Sequence, residues 1–169
     1  METSKSVVAG ILLLLSIVGL AAAGALEEGD AAYSKGDYAN AVRLLRPLAD
    51  RDIALAQYRL AEMYSSGNGV PQDYAEAAKW YVRSANRGEV AAQYKLGTMY
   101  ENGEGVPRDN ILAYMWFDLS AAHGNKAGAT RRDAIVPNMS REQLSEAQKL
   151  AGEWKPCTKW LWIISRGNC

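Results

Sequence analysis

The chain has 169 residues, of which 49% are hydrophobic, with equal numbers of basic and acidic side chains and a formal net charge of +0. That is enough apolar material for one domain with its own core. The neutral balance, with no basic stripe, argues against a nucleic-acid binder and leaves a protein partner open. Taken from its start, residues 1–25 read as a segment outside the fold. Lys5 and the amino terminus give a weakly positive start, and Val7 to Leu20 is almost continuously apolar. Ala21-Ala22-Ala23 and Ala23-Gly24-Ala25 then offer small-x-small cleavage sites, the layout of a secretory signal peptide. The rival reading is an uncleaved inner-membrane anchor over residues 7–23, at the short edge for a span. No Cys follows the apolar run, which argues against a lipid anchor, and no twin arginine precedes it. An export signal puts the rest of the chain, from about Leu26, in the periplasm or outside the cell.

Residues 26–52 read as a partial helix pair. Gly29, Gly36-Asp37-Tyr38, Ala41, Leu45 and Leu48 mark its positions, and Lys35-Gly36-Asp37 makes a tight turn. Glu27 and Glu28 are favourable charges near a helix start. Asp50-Arg51-Asp52 is a short polar link into the next helix.

Two long windows follow, residues 53–88 and 89–124, and the second nearly repeats the first 36 positions on. Tyr58, Leu60, Met63 and Tyr64 fall at helical spacing, as do Tyr94, Leu96, Met99 and Tyr100, so each window opens with an apolar helix face. Gly67-Asn68-Gly69-Val70-Pro71 and Gly103-Glu104-Gly105-Val106-Pro107 end those helices and turn the chain. Asp73 and Asp109 stand where an N-cap is wanted. The second helices carry Ala77, Trp80, Tyr81, Ser84 and Ala85, echoed by Ala113, Trp116, Phe117, Ser120 and Ala121, and Gly88 and Gly124 close them. Such a unit cannot bury its apolar face alone, so its neighbours must stack on it.

Residues 125–154 read as capping helices. Lys126 to Ile135 is the next first helix, with Arg131, Arg132 and Asp133 on its solvated face and Pro137 as its stop. Ser140 and Gln143 have the spacing of a capping box, and Met139 with Leu144 that of a hydrophobic staple. The sequon Asn138-Met139-Ser140 reads as part of that cap. The helix runs to about Trp154, with Leu144, Ala147, Leu150 and Ala151 on one face. In the tail, residues 155–169, Trp160, Trp162 and Ile164 alternate with Leu161 and Ile163, which suggests an extended segment. Cys157 and Cys169 are the only cysteines. In an exported chain they read as a disulfide, a closure that stabilises by about 3 kcal/mol; in a cytoplasmic one they are reduced thiols.

The run Leu60-Ala61-x-x-Tyr64-x-x-Gly67-x-Gly69-Val70-Pro71-x-Asp73, then Ala77-x-x-Trp80-Tyr81, Ser84-Ala85 and Gly88, resembles the Sel1-like repeats, relatives of the tetratricopeptide repeats. Residues 26–52 are more similar to the tetratricopeptide pattern, and the last helix resembles the capping helix of bacterial Sel1 proteins. The resemblance implies an all-α solenoid of stacked antiparallel helix pairs that mediates protein–protein assembly, with no cofactor and no catalytic step. Carried over by position, its concave face would present Tyr58, Glu62 and Ser65, then Tyr94, Thr98 and Glu101, to a protein or peptide. The alternative for Tyr58 and Tyr94 is that they only pack between repeats.

No motif of a nucleophile, a phosphate loop or a metal site stands out, so no catalytic or metal-ligating residue is assigned. His123, the only histidine, sits at a helix end where Arg87 sits in the other repeat, and a cation there complements the helix C-terminus. A second function class comes from the resemblance alone, because some secreted Sel1 proteins are described as binding or hydrolysing β-lactams. Those carry a cysteine pair in each repeat, and these repeats carry none.

Overall fold

A computed structural model of the chain describes residues 21–156, and among them all regular structure is helical. Helix α1 takes residues 21–34. It is followed by α2 (Tyr38–Asp50), α3 (Ala54–Ser66), α4 (Tyr74–Asn86), α5 (Val90–Asn102), α6 (Asn110–Ala122), α7 (Lys126–Ile135), a single 3-10 turn (Val136–Asn138) and α8 (Arg141–Glu153). Helices α3 and α4 pack as a pair, as do α5 and α6, and each pair stacks on the next through α2 on α3, α4 on α5 and α6 on α7. The expected all-α solenoid is what forms.

The second helix of each pair starts with an aspartate. Asp37, Asp73 and Asp109 stand 36 residues apart, and each accepts hydrogen bonds from the first-turn backbone of the helix it opens. A cap of this kind contributes about 1 kcal/mol. Asp37 places α2 in register with α4 and α6, whereas the connection Lys35-Gly36-Asp37 omits the Gly-x-Gly-Val-Pro loop and so brings α1 nearer in sequence.

That loop does more than turn the chain. Gly67 and Gly103 end α3 and α5 in the left-handed region, as expected. The second glycine of each loop also has positive φ, and it lies on the first residue of the preceding pair's second helix. A Cβ at Gly69 would lie 2.8 Å from the Tyr38 backbone, and one at Gly105 would overlap the Tyr74 carbonyl. These glycines therefore set how closely neighbouring repeats approach.

Inside each pair a small residue faces a large one. Gly97 lies against the ring of Phe117, where a Cβ would come within 2.7 Å, and Gly29 lies against Leu45 in the same way. Leu45, Tyr81 and Phe117 recur at 36 residues and are all buried. Burying one such side chain is worth about 1.5–3 kcal/mol. Trp80 and Trp116 are buried as well, under different covers. The guanidiniums of Arg46 and Arg83 both cover the Trp80 ring, 5.3 and 4.5 Å from its centroid. Trp116 meets the edge of Trp154 at 6.2 Å.

A polar ladder runs through this apolar stack. Gln57 and Gln93 are fully buried, and their Nε2 atoms donate to the carbonyls of Ala49 and Ala85 at 3.0 and 3.4 Å. Ser84 and Ser120 donate to the carbonyls of Ala54 and Val90 at 2.8 and 3.0 Å. Each of these side chains thus donates to a backbone oxygen at the end of a neighbouring helix.

Two expectations need correction. Residues 21–25, expected outside the fold, are helical and continuous with the rest of α1, and Ala22 and Ala25 pack against the core. Arg131 and Arg132 are not simply solvated: they pair with Glu101 of α5 and Asp118 of α6, at 3.0 and 2.9 Å, and so fasten α7 to the stack. Helix α8, read from the sequence as a capping helix, packs on α6 and buries Ala147 and Ala151. Its capping box is formed by Ser140 and Gln143, and Met139 and Leu144 both pack against the same apolar cluster. The apolar run Val7 to Leu20 and the tail holding Cys157 and Cys169 lie outside the described residues.

Candidate functional site

Helices α1, α3, α5 and α7 form one layer of the stack, and the side chains they turn away from their partners form the candidate face. The sequence assigned Tyr58, Glu62, Ser65, Tyr94, Thr98 and Glu101 to it as exposed contacts. The structure makes none of them fully exposed, and the two repeats differ.

In the first repeat the residues are knitted to α1. Tyr58 is 9% exposed, its ring 5.9 Å from that of Tyr81, and its hydroxyl donates to Glu62 Oε1 at 2.8 Å. Glu62 also accepts from Arg59 Nη1 at 2.9 Å. Arg59 reaches back through Nε to Asp30 of α1, and its guanidinium stacks over Tyr33 at 4.7 Å and Tyr58 at 5.6 Å. Ser65 donates to the Glu62 carbonyl at 3.0 Å. Tyr58 is thus a core residue of the α1–α3 junction rather than an exposed contact, because α1 supplies the partners that enclose it.

The electrostatics follow from this enclosure. Burial, with the Glu62 charge beside it, pushes Tyr33 up to about 12. Burial and the hydrogen bond to Glu62 raise Tyr58 far above the ordinary phenol range, and burial raises Tyr81 as well. Burial works against the Arg59 charge, but its hydrogen bonds to Asp30 and Glu62 outweigh that and raise its pKa. The tyrosines keep their protons and act as hydrogen-bond donors.

In the second repeat the same positions are looser. Tyr94 is half-buried with its ring 5.9 Å from Phe117, so it packs within its own repeat. Thr98 stands where Glu62 stands and donates to the Tyr94 carbonyl at 3.1 Å. Lys95 stands where Arg59 stands, is exposed, and makes no ion pair among the described residues. Glu101, one-fifth exposed, faces Arg131 of α7 at 3.0 Å.

Asp30, Tyr33, Arg59 and Lys95 were missed as members of this face. The signal existed for two of them, since Arg59, Lys95 and Arg131 recur every 36 residues. A second missed feature is Asp52, which occupies the place of Gly88 and Gly124 and keeps their positive φ, 67° against 85° and 89°. Its carboxylate receives Arg83 Nη2 at 3.1 Å, Arg87 Nη2 at 2.8 Å and Gln57 Nε2 at 3.2 Å. Arg87 is therefore drawn into a joint between helix pairs. His123, its counterpart, is the exposed C-cap of α6, with Nδ1 2.8 Å from the Leu119 carbonyl.

The comparisons with known proteins agree with this geometry. The Sel1 repeat family model matches residues 54–89 and 90–125. A Sel1 repeat protein from Oxalobacter formigenes is 36% identical, with a TM-score of 0.61 over 67% of this chain and 88% of its own. The c5321 protein, described as a protective antigen present in uropathogenic Escherichia coli strains and displaying an SLR fold, is 27% identical with a TM-score of 0.76 over 88% of this chain. The chain spans only 33% of that protein's length. The comparison with curated proteins finds no match.

Proposed function

The chain belongs to the Sel1 repeat family, and we propose that it works as a non-enzymatic adaptor at the cell envelope, holding a protein or peptide partner on the face built by α3, α5 and α7. The observation that carries this reading is the face itself. Its helices are held by a buried ladder of Gln and Ser bonds, so the outward side chains of the second repeat are presented on a stiff support. A preorganised surface loses little entropy on binding, which is how a short groove gains affinity. Burial keeps the phenols of Tyr33 on α1 and Tyr58 on α3 protonated, and Tyr58 is committed to Glu62 inside the fold. Recognition by shape and charge needs no covalent step and no cofactor.

The apolar run Val7 to Leu20 and the small residues after it support export, with the adaptor free in the periplasm, secreted, or held by residues 7–23. Two full repeats and one shorter pair make a short groove, which suits a peptide or a single helix better than a large globular partner.

In-cell photocrosslinking tests the reading. A photoreactive residue replaces Lys95 on the face, or Lys79, 71% exposed on α4, as the control. One dominant protein adduct from position 95 that is absent from position 79 is the expected result. Equal adducts from both positions, or none from either, would overturn it.

A further inference from the structure

The first-helix layer carries three cations at a 36-residue spacing; two of them reach back to an acid of the preceding first helix, and the third has no acid partner among the described residues. Arg59 of α3 reaches Asp30 of α1, and Arg131 of α7 reaches Glu101 of α5. Lys95 of α5 lies midway, 36 residues from each. The position in α3 that matches Glu101 is Ser65, which carries no charge. Glu62, the nearest acid of α3 by register, is already taken by Arg59 and by the Tyr58 hydroxyl. Thr98, which replaces Glu62 on α5 itself, offers Lys95 no carboxylate either.

The same gap appears across the whole junction. Among the described residues, ion pairs join α1 to α3, α5 to α7, α6 to α7, and the Asp52 link to the end of α4. None joins the helix pair α3–α4 to the pair α5–α6. Of these three cations, Lys95 alone is exposed and without an acid.

From this we infer that the missing acid is supplied by the partner, as a carboxylate of an acidic peptide segment laid across α3 and α5 and meeting Lys95. The inference rests on the adaptor reading and gives its partner a chemistry. The Asp30–Arg59–Glu62 group holds two acids against one base and so repels a further acid at that end of the face. Arg131 is matched one-to-one by Glu101. Lys95 is therefore the point where an acid gains most, and the acidic segment takes its register from that point.

The purified chain is titrated, by fluorescence anisotropy at low salt, with three labelled peptides of equal length in a Gly-Ser background, carrying glutamates, lysines or neither. Preferential binding of the glutamate peptide is expected, weakened at least about fivefold by Lys95→Glu, restored by Lys95→Arg and reduced by added salt. Lys149→Glu on α8, which makes the same charge change away from the face, should leave binding nearly unchanged. Equal binding of the glutamate and lysine peptides, or equal effects of Lys95→Glu and Lys149→Glu, would overturn the acidic-partner inference. If crosslinking from position 95 still names one protein in that case, the adaptor reading stands and only the partner chemistry falls. If crosslinking fails as well, both fall.

Discussion

The junction between the pairs α1–α2 and α3–α4 and the junction between α3–α4 and α5–α6 are built on one 36-residue plan, yet they are held differently. Both use a buried glutamine on a helix-end carbonyl, through Gln57 at the first and Gln93 at the second. Both seat a second helix beside the next first helix. The first junction adds Arg59 on Asp30 and Asp52 on Arg83 and Arg87. The second has Lys95 in place of Arg59 and Gly88 in place of Asp52, and no ion pair crosses it among the described residues. Packing and the polar ladder are thus what every junction needs, and charge is an addition that one junction has and its neighbour lacks. Where charge is spent inside the fold, the face is closed to a partner; where it is not, the face stays open.

The largest expected effect is at a position the two junctions share. Gly105→Ala forces a Cβ onto the Tyr74 carbonyl at positive φ, and we expect a loss of about 3 kcal/mol in urea unfolding. Gly69→Ala, with contacts of 2.8 Å, should cost less. Equal and small losses would show that the loops do not set the spacing between repeats.

The next contrast is Arg59→Ala against Lys95→Ala. Arg59 is three-quarters buried at its side chain and bonds two carboxylates, so its loss should cost about 1–2 kcal/mol. Lys95→Ala should stay within about 0.5 kcal/mol of the parent. If Lys95→Ala destabilises as much as Arg59→Ala, the second junction has a charge contact of its own and the comparison fails.

Asp52 separates backbone strain from ion pairing. Asp52→Ala loses the bonds to Arg83, Arg87 and Gln57 while keeping a non-glycine residue at positive φ. Asp52→Gly loses the same bonds and relieves the strain, so it should be more stable than Asp52→Ala by about 1 kcal/mol in thermal or urea unfolding. A reversed order would mean that the left-handed turn is not strained.

Alkaline pH should open the first junction before the second. Tyr33 titrates at about 12 in the fold against 10.0 ordinarily, and Tyr58 and Tyr81 are raised in the same direction. The folded values lie above the unfolded one, so the stability they represent is fully present below pH 10 and is lost as pH rises through about 12. Tyrosinate absorbance and helicity should change together, and Tyr33→Phe should move the change to higher pH. Tyrosinate formation well below the loss of helicity would place these rings in solvent.

Much of this was legible before any coordinate. The 36-residue echo, the aspartate caps, the glycine turns and the Ser140–Gln143 box are local features, decided within a few residues by backbone sterics and side-chain-to-backbone hydrogen bonds. The stacked helix pairs follow because each apolar face must be covered. What the echo concealed was substitution within the register. Tyr58 and Tyr94 look equivalent in the sequence, but Tyr58 is enclosed because α1 brings Asp30 and Tyr33 to Arg59, and those residues stand about 30 positions away in a pair with a shortened loop. The placement of α8 on α6 was equally hidden, since an amphipathic helix states that it must be covered but not by which neighbour.

The sequence by itself determined the unit: where each helix begins, where it ends, and which stripe it must bury. The tertiary structure alone decided how charge is distributed over the joined units. A cation's partner is whatever acid the stacking brings within a few ångströms, and that depends on loop length and register across two helix pairs. Only the assembled stack therefore reveals that Arg59 is committed to the fold and that Lys95 is free to meet something else.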